Sequence, residues 1–208
     1  MVVNIPKAVR PIFIKPLGYP GGVLTKHFSS KLQAILSFRS LNLETDLEML
    51  HSWVNSDYAI PFWQFNASKS KLFEFYYDVQ RCSCGHSYIG LLNGDPICQL
   101  DVYQVIHDEL NQFIVADEYD CGFHLLMAPN KSPIHGLTLE TVRTFLNYFF
   151  RFPQASRMFG EPDIHNKKSN LLLQKLGFRY MHQILMSYKT ATLYSVTKTQ
   201  FYEKNIRF

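Results

Sequence analysis

From residue 122 onward the chain reads strand, loop, helix, strand, helix, strand, strand, and that order leaves few folds open. Residues 122–127, Gly-Phe-His-Leu-Leu-Met, are an apolar run of strand length. Residues 132–136 carry Pro133 and Gly136 and read as a loop. Over 137–150, Leu139, Val142, Leu146 and Phe149 recur at spacings of three and four, the period of a helix with one buried stripe, and Pro153 stops it. Residues 157–161 form a second short strand. A helix joining two strands of one sheet makes a right-handed crossover and sets those strands parallel. Asn166 is placed to cap a second helix, with Leu171, Leu172 and Leu176 facing inward and Gly177 at its end. Strands over 180–186 and 190–196 follow.

The first half adds strands to the same sheet. Pro6, Pro11, Pro16 and Pro20, with Gly18, Gly21 and Gly22, break regular structure over 1–33, which reads as an extended arm with at most a short strand at 12–14. A strand over 34–41 precedes a helix opened by Thr45 as N-cap, with Glu44, Asp46 and Glu48 suiting the positive end of its dipole. That helix stops near residues 55–57. Residues 70–81 are helical in pattern. Strands over 86–92 and 97–107 flank Asn93-Gly94, a strong hairpin signal. The order is β-α-α-β-β-β-α-β-α-β-β, an α/β chain with a mixed sheet flanked by helices. The last residues, 199–208, are read as a C-terminal tail, either helical or extended.

Composition narrows the function. Apolar residues make up 47% of the 208 and charged ones only 18%, enough for a full core and too few for a disordered chain. The formal charge of +4 is scattered, with no block of five or six basic residues, so no nucleic acid partner is expected and a small anionic ligand fits better. No stretch of 18 apolar residues exists, and the N-terminus lacks a charged leader before an apolar run. The expectation is a cytoplasmic chain without a membrane partner. Cys82-Ser83-Cys84 beside His86 invites a zinc reading. The spacing is shorter than the usual two to four residues and no second pair follows, so the expectation is reduced thiols and no metal.

The strand at 122–127, the loop and the helix beginning at Leu137 together make an anion site. Free N–H groups leave the first helical turn, the dipole adds ~0.3–1 kcal/mol, and Gly136 allows close backbone approach to a phosphate. A plain strand-to-helix turn has the same signature, so the downstream order carries the weight.

That order, closed by Leu176-Gly177-Phe178, resembles the GNAT acyltransferases. Their pyrophosphate loop reads R/Q-x-x-G-x-G/A. Here residues 133–138 are Pro-Ile-His-Gly-Leu-Thr: Gly136 matches, Pro133 replaces the Arg or Gln, and Thr138 replaces the last Gly or Ala. A narrower resemblance is to the siderophore-biosynthesis acyltransferases that acylate hydroxylated lysine or hydroxylated diamines. It is carried by Phe62-Trp63, by Gly122-Phe123-His124-Leu125-Leu126 and by Glu161-Pro162-Asp163-Ile164-His165-Asn166, with Leu36-Ser37-Phe38-Arg39 and Lys189-Thr190-Ala191 in support, over residues 34–198. The family's E-x-Y-W becomes Asp101-Val102-Tyr103-Gln104, a departure in the acceptor pocket.

The resemblance implies a GNAT domain over 34–198 whose central parallel strands splay to admit the pantetheine arm of acyl-CoA, either acetyl-CoA or succinyl-CoA. It implies His124 and Asp163 as the catalytic pair, and Asn166 at the CoA arm. His135, Gly136, Leu137 and Thr138 form the phosphate loop, and backbone N–H groups at Leu125, Leu126 and Met127 are candidates to polarise the thioester. Phe62, Trp63, Gln104 and Lys189 are assigned to the acceptor. Without the motifs, His124 reads as a core histidine, Asp163 as a turn residue and Phe62-Trp63 as core.

The implied reaction is acylation of an N-hydroxylated amine to a hydroxamate for iron acquisition. An imidazole titrating near neutrality suits removal of the attacking nitrogen's proton. Direct transfer needs no cysteine nucleophile. A cationic acceptor tail would want a carboxylate, with Asp101, Asp117, Glu118 and Asp120 as candidates. A siderophore synthetase is a candidate partner. The rivals are a GNAT enzyme for another amine, such as a drug or a protein terminus, and a CoA-binding module without turnover.

Overall fold

The computed structural model describes residues 22–63, 68–129 and 132–205, except the side chain of Trp63. The strand proposed at 12–14 lies outside them.

Eight strands form one sheet: β1 (Val23–Ser29), β2 (Ala34–Ser40), β3 (Gly85–Leu92), β4 (Asp95–Gln104), β5 (Asp120–Met127), β6 (Arg157–Gly160), β7 (Arg179–Leu185) and β8 (Thr190–Thr197). Their order is β1-β2-β3-β4-β5-β6-β8-β7, and every neighbouring pair is antiparallel except β5 with β6. This is the mixed sheet expected from the strand–helix–strand order. The helices are α1 (Leu43–Val54), α2 (Ile60–Trp63), α3 (Lys69–Arg81), α4 (Leu137–Phe149), α5 (Lys167–Leu176) and α6 (Lys198–Asn205), with two 3-10 turns at Val105–His107 and Glu109–Gln112.

Strand alternation divides the core between two faces. Tyr88, Leu100, Val102, Cys121 and Phe123 point toward α4, α5 and α6, where Phe145 meets Phe38 and Tyr88 edge-on. Ile89, Leu91 and Leu126 point the other way and pack with Leu50, Val54, Leu72 and Tyr76 of α1 and α3. β3 is buried along nearly its whole length, as a strand covered on both faces must be.

Several boundaries differ from the sequence reading. β1 begins at Val23, within the segment read as an arm, and pairs with β2. Asn42, not Thr45, caps α1, accepting from the Glu44 N–H. The helix starts early because Asp46 is held from below. Arg39 of β2 grips it with two bonds of 2.6 and 2.7 Å, and the Asn42 N–H donates to it at 2.8 Å. The strand expected over 97–107 stops at Gln104 and tightens into a 3-10 turn. On α5, Leu176 is buried and Leu172 packs on the core as expected, while Leu171 is half exposed and Leu173 takes its inner place.

Of the two readings of the tail, the helix holds: α6 takes up most of it. Phe201 is buried against Phe150, and Asn205 ties α6 to α5 and α4, donating to the Leu176 carbonyl and accepting from Arg143 Nε. Cys82 and Cys84 are joined in a disulfide where α3 ends, which corrects the expectation of reduced thiols there; their Cα atoms stand 5.3 Å apart, within bridging range. His86 meets the Ser40 hydroxyl at 2.9 Å. Among the described residues, no group of three or more His, Cys, Asp or Glu is arranged to hold a metal ion, and no helix is long and apolar enough to cross a membrane.

Candidate active site

The parallel ladder between β5 and β6 is three residues long: Asp120, Cys121 and Gly122 beside Arg157, Met158 and Phe159. β5 continues to Met127 along β4, but the chain leaving β6 turns away. Pro162 has no N–H to offer a neighbouring strand. The segment it begins attaches to β8 instead: the Thr192 N–H donates to the Pro162 carbonyl, the Ile164 N–H to the Thr190 carbonyl, and Asp163 bridges Ala191. The central strands therefore part beyond Gly122. The gap is a cleft open to solvent.

Of the residues singled out in the sequence, Phe62, His124, Leu125, Asp163, Asn166 and Lys189 line this cleft. Leu126 does not; it is buried further along the strand, under α1 and α3. Met127 is partly buried against the α4 side of the core. Gln104 is buried away from the cleft and donates to the Glu118 carbonyl at 3.0 Å, so it fastens the loop before β5. The loop residues His135, Gly136, Leu137 and Thr138 stand apart from the cleft lining, at the start of α4. Gly136 is the N-cap there with φ of 80° and no side chain closing the cap. A Cβ at Gly136 would touch little, so its left-handed backbone is what demands glycine. The Leu137 N–H donates to the Ile134 carbonyl, which leaves the N–H groups of Thr138 and Leu139 as the first-turn donors without intrahelical acceptors that an anion site needs.

The acid that meets His124 is Glu161 rather than Asp163. Glu161 Oε1 lies 2.8 Å from His124 Nε2, and Lys189 Nζ stands 3.8 Å from the same oxygen. Asp163 Oδ1 accepts from the His165 N–H at 2.7 Å, and its carbonyl accepts from Asn170 Nδ2. It shapes the turn into α5, which Asn166 caps by accepting from the Ser169 N–H. Strand geometry accounts for the pairing with Glu161. Gly122 is the partner of Phe159, and two residues further along each parallel strand, on the same face, come His124 and Glu161.

Burial alone would pull the His124 imidazolium down, but the hydrogen bond and negative charge of Glu161 outweigh it. The group is raised above 6.5, with Lys189 opposing and Asp101 assisting. For Glu161, burial pushes upward, and the His124 bond together with the charges of His124 and Lys189 holds the carboxyl below its ordinary value. The Glu161 side chain is 1% exposed and that of His124 is 38% exposed. The ring therefore presents itself to the cleft while its carboxylate partner sits behind it.

Tyr103 completes the back wall. Its ring centroid is 5.0 Å from that of His124, and a Cβ at Gly122 would come within 2.3 Å of its hydroxyl, so glycine is needed there for the phenol to fit. Asp101, facing His124 across the β4–β5 ladder, is held by the hydroxyls of Ser87 and Tyr76. Among the other acceptor-tail candidates, Asp120 is buried under Arg157, which donates from Nε at 2.9 Å and again from Nη2, and Asp117 is exposed and accepts from the Tyr119 N–H.

Glu161 was visible in the sequence only as the first letter of a motif. Its partnership with His124 depends on the β5–β6 register, which no local pattern encodes.

Comparison with known proteins agrees with this architecture. The model of an acetyltransferase (GNAT) domain matches residues 42–186. A putative lysine N-acyltransferase of Schizosaccharomyces pombe is 28% identical over 88% of the chain, which spans 55% of that relative's length. An N-hydroxyputrescine acetyltransferase of Acinetobacter baumannii is 26% identical over 83% of this chain and 82% of its own. The structure of the aminoglycoside acetyltransferase AAC(6')-Ib in complex with coenzyme A superposes with a TM-score of 0.74 at 22% identity, over 82% of this chain and 99% of that one. With the family model covering well over half of the residues, the chain belongs to the acetyltransferase (GNAT) domain family, whose members take their acyl group from acyl-CoA.

Proposed function

We propose that this protein transfers an acyl group from acyl-CoA to the nitrogen of an N-hydroxylated amine, giving a hydroxamate for siderophore synthesis. The observation that carries the reading is the His124–Glu161 pair at the opening between β5 and β6, backed by the relative that acts on N-hydroxyputrescine. The hydroxylamine nitrogen attacks the thioester carbonyl carbon. As the C–N bond forms and the C–S bond breaks, CoA departs as thiolate. His124 takes the proton the nitrogen must lose, and one proton returns to the thiolate, so the exchange balances. A base on this face, with the thioester in the cleft beside Leu125, turns the step into an intramolecular-like transfer. The Gly136 loop at the head of α4 is the place for the pyrophosphate, and Asp163 and Phe62 border the acceptor's path.

The test is thiol release from acetyl-CoA and succinyl-CoA with hydroxylated and plain diamines, hydroxylated and plain lysine, and an aminoglycoside. Release that requires the N-hydroxyl group is expected. Release with plain amines or the aminoglycoside alone would assign the chain a different acceptor.

The same geometry sets the pH dependence. His124 works as a base when neutral, and Glu161 raises its ionisation above 6.5. The rate is therefore expected to rise with pH along a limb centred above 6.5 in a kcat/KM profile; a limb centred below it would remove Glu161 from the charge balance.

A further inference from the structure

Glu161 is the most deeply buried carboxylate at the cleft, and its surroundings are those of a charge kept for use. Oε1 is shared between His124 Nε2 at 2.8 Å and Lys189 Nζ at 3.8 Å, while Oε2 is buried without a hydrogen-bond partner among the described residues. The buried hydroxyl of Tyr103 faces the same carboxylate and helps to hold it ionised. Removing an ionised carboxylate from water costs several kcal/mol. Such a group persists where fixed partners of opposite charge hold it ionised, here Lys189 and, once protonated, His124.

We propose that Glu161 is the positioning residue for His124, fixing the ring tautomer so that Nδ1 takes the acceptor's proton, and that Lys189 is the counter-charge holding Glu161 in place. This rests on the reading of His124 as the base. An ionised carboxylate can only accept, so the neutral ring meets Oε1 through an Nε2–H donor, and its lone pair is on Nδ1. When Nδ1 takes the proton from the nitrogen, the new imidazolium already faces a buried negative charge, so no reorganisation is needed to stabilise it.

Lys189 limits the effect. It is carried on the turn between β7 and β8, its side chain is 10% exposed, and it lies over the Tyr188 ring. That turn is pinned by Glu109, which accepts from the Ser187 N–H at 2.6 Å and from the Ser187 hydroxyl at 2.8 Å. With Glu161 negative and Lys189 positive, the site is balanced while His124 is neutral. The other groups facing this centre are Asp101 and Tyr103 from β4, Tyr76 from α3, Asp108 from the 3-10 turns, and Tyr188. Asp163 has no part in this arrangement, since its carboxylate is turned to the His165 N–H.

The experiment is nuclear magnetic resonance titration of the histidine ring nitrogens in the whole chain, free of substrate, with the His124 signals identified by their loss in His124→Gln. The wild type is expected to show the Nε2–H tautomer. In Glu161→Gln the amide can donate as well as accept, so the Nδ1–H tautomer appears and the titration moves to lower pH. In Lys189→Met the titration moves to higher pH and the tautomer is kept. Asp163→Asn leaves both in place. Turnover of Glu161→Gln falls at least about 10-fold on its pH plateau, part of the roughly 10²–10⁴-fold that a positioned base contributes. The KM for acyl-CoA stays near that of the wild type.

An unchanged tautomer and titration in Glu161→Gln would overturn the proposal, as would an equal displacement in Asp163→Asn. Should Glu161→Gln fail to fold, Lys189→Met carries the decision, because a merely structural lysine would not raise the titration of His124. The spectra need no acceptor. A protein with these spectra that acylates no hydroxylated amine would refute the assigned substrate and leave the positioning intact.

Discussion

Replacing His124 by Ala is expected to lower kcat by about 10²–10⁴-fold, the contribution of a positioned general base, while the Kd for acyl-CoA changes little. The ring presents 38% of its side chain to the cleft and is held from behind by Glu161, so its loss removes the proton acceptor without emptying the core. The pH limb attributed to this group should vanish with it. Equilibrium binding of CoA and steady-state rates across pH measure both. A variant that turns over at the wild-type rate would take His124 out of the mechanism.

The largest loss of stability is expected at Asp46. Its carboxylate is buried, accepts both arms of Arg39 and the Asn42 N–H, and so fastens the start of α1 to β2. Asp46→Ala leaves the guanidinium of Arg39, 17% exposed, without its carboxylate. Breaking a buried pair from one side costs about 3–5 kcal/mol. For a chain of this size that corresponds to a fall in Tm of about 6–20 °C, read by calorimetry. Replacing both partners by apolar residues of similar volume, Asp46→Leu with Arg39→Met, is expected to recover most of the loss, because no charge is then stranded. A single variant as stable as the wild type would show that α1 is held by its apolar face alone.

What the sequence made legible follows from the range of the signals. The strand–helix–strand order after residue 122 fixed the parallel pair, because crossover handedness follows from local elements. Gly136 and Gly177 were readable because a positive φ, 80° and 94° here, is a backbone demand that few side chains meet. The edges of the fold were harder. β1 is an edge strand with a ragged burial pattern, so alternation gave it no signature, and the glycines and prolines before it pointed to an arm. α6 buries Phe201 and Asn205 and little else along its length, too few positions for a helical period to stand out.

The site divides in the same way. His124, Asp163, Asn166 and Lys189 meet at one cleft, as the motifs implied. The acid bonded to His124 is set instead by the parallel register of Gly122 with Phe159, a relation between residues 37 positions apart. Gln104 illustrates the converse: a motif position suggested an acceptor contact, but its burial toward the Glu118 carbonyl follows from where β4 ends.

In the proposed reaction the acceptor nitrogen carries a hydroxyl group. The most direct measurement incubates the protein with acetyl-CoA and either an N-hydroxylated diamine or the same diamine without the hydroxyl, then adds ferric iron and weighs the products by mass spectrometry. A coloured ferric complex and an acetylated product are expected from the hydroxylated diamine only. An acetylated plain diamine, with no iron-binding product from its hydroxylated counterpart, would contradict the proposed reaction.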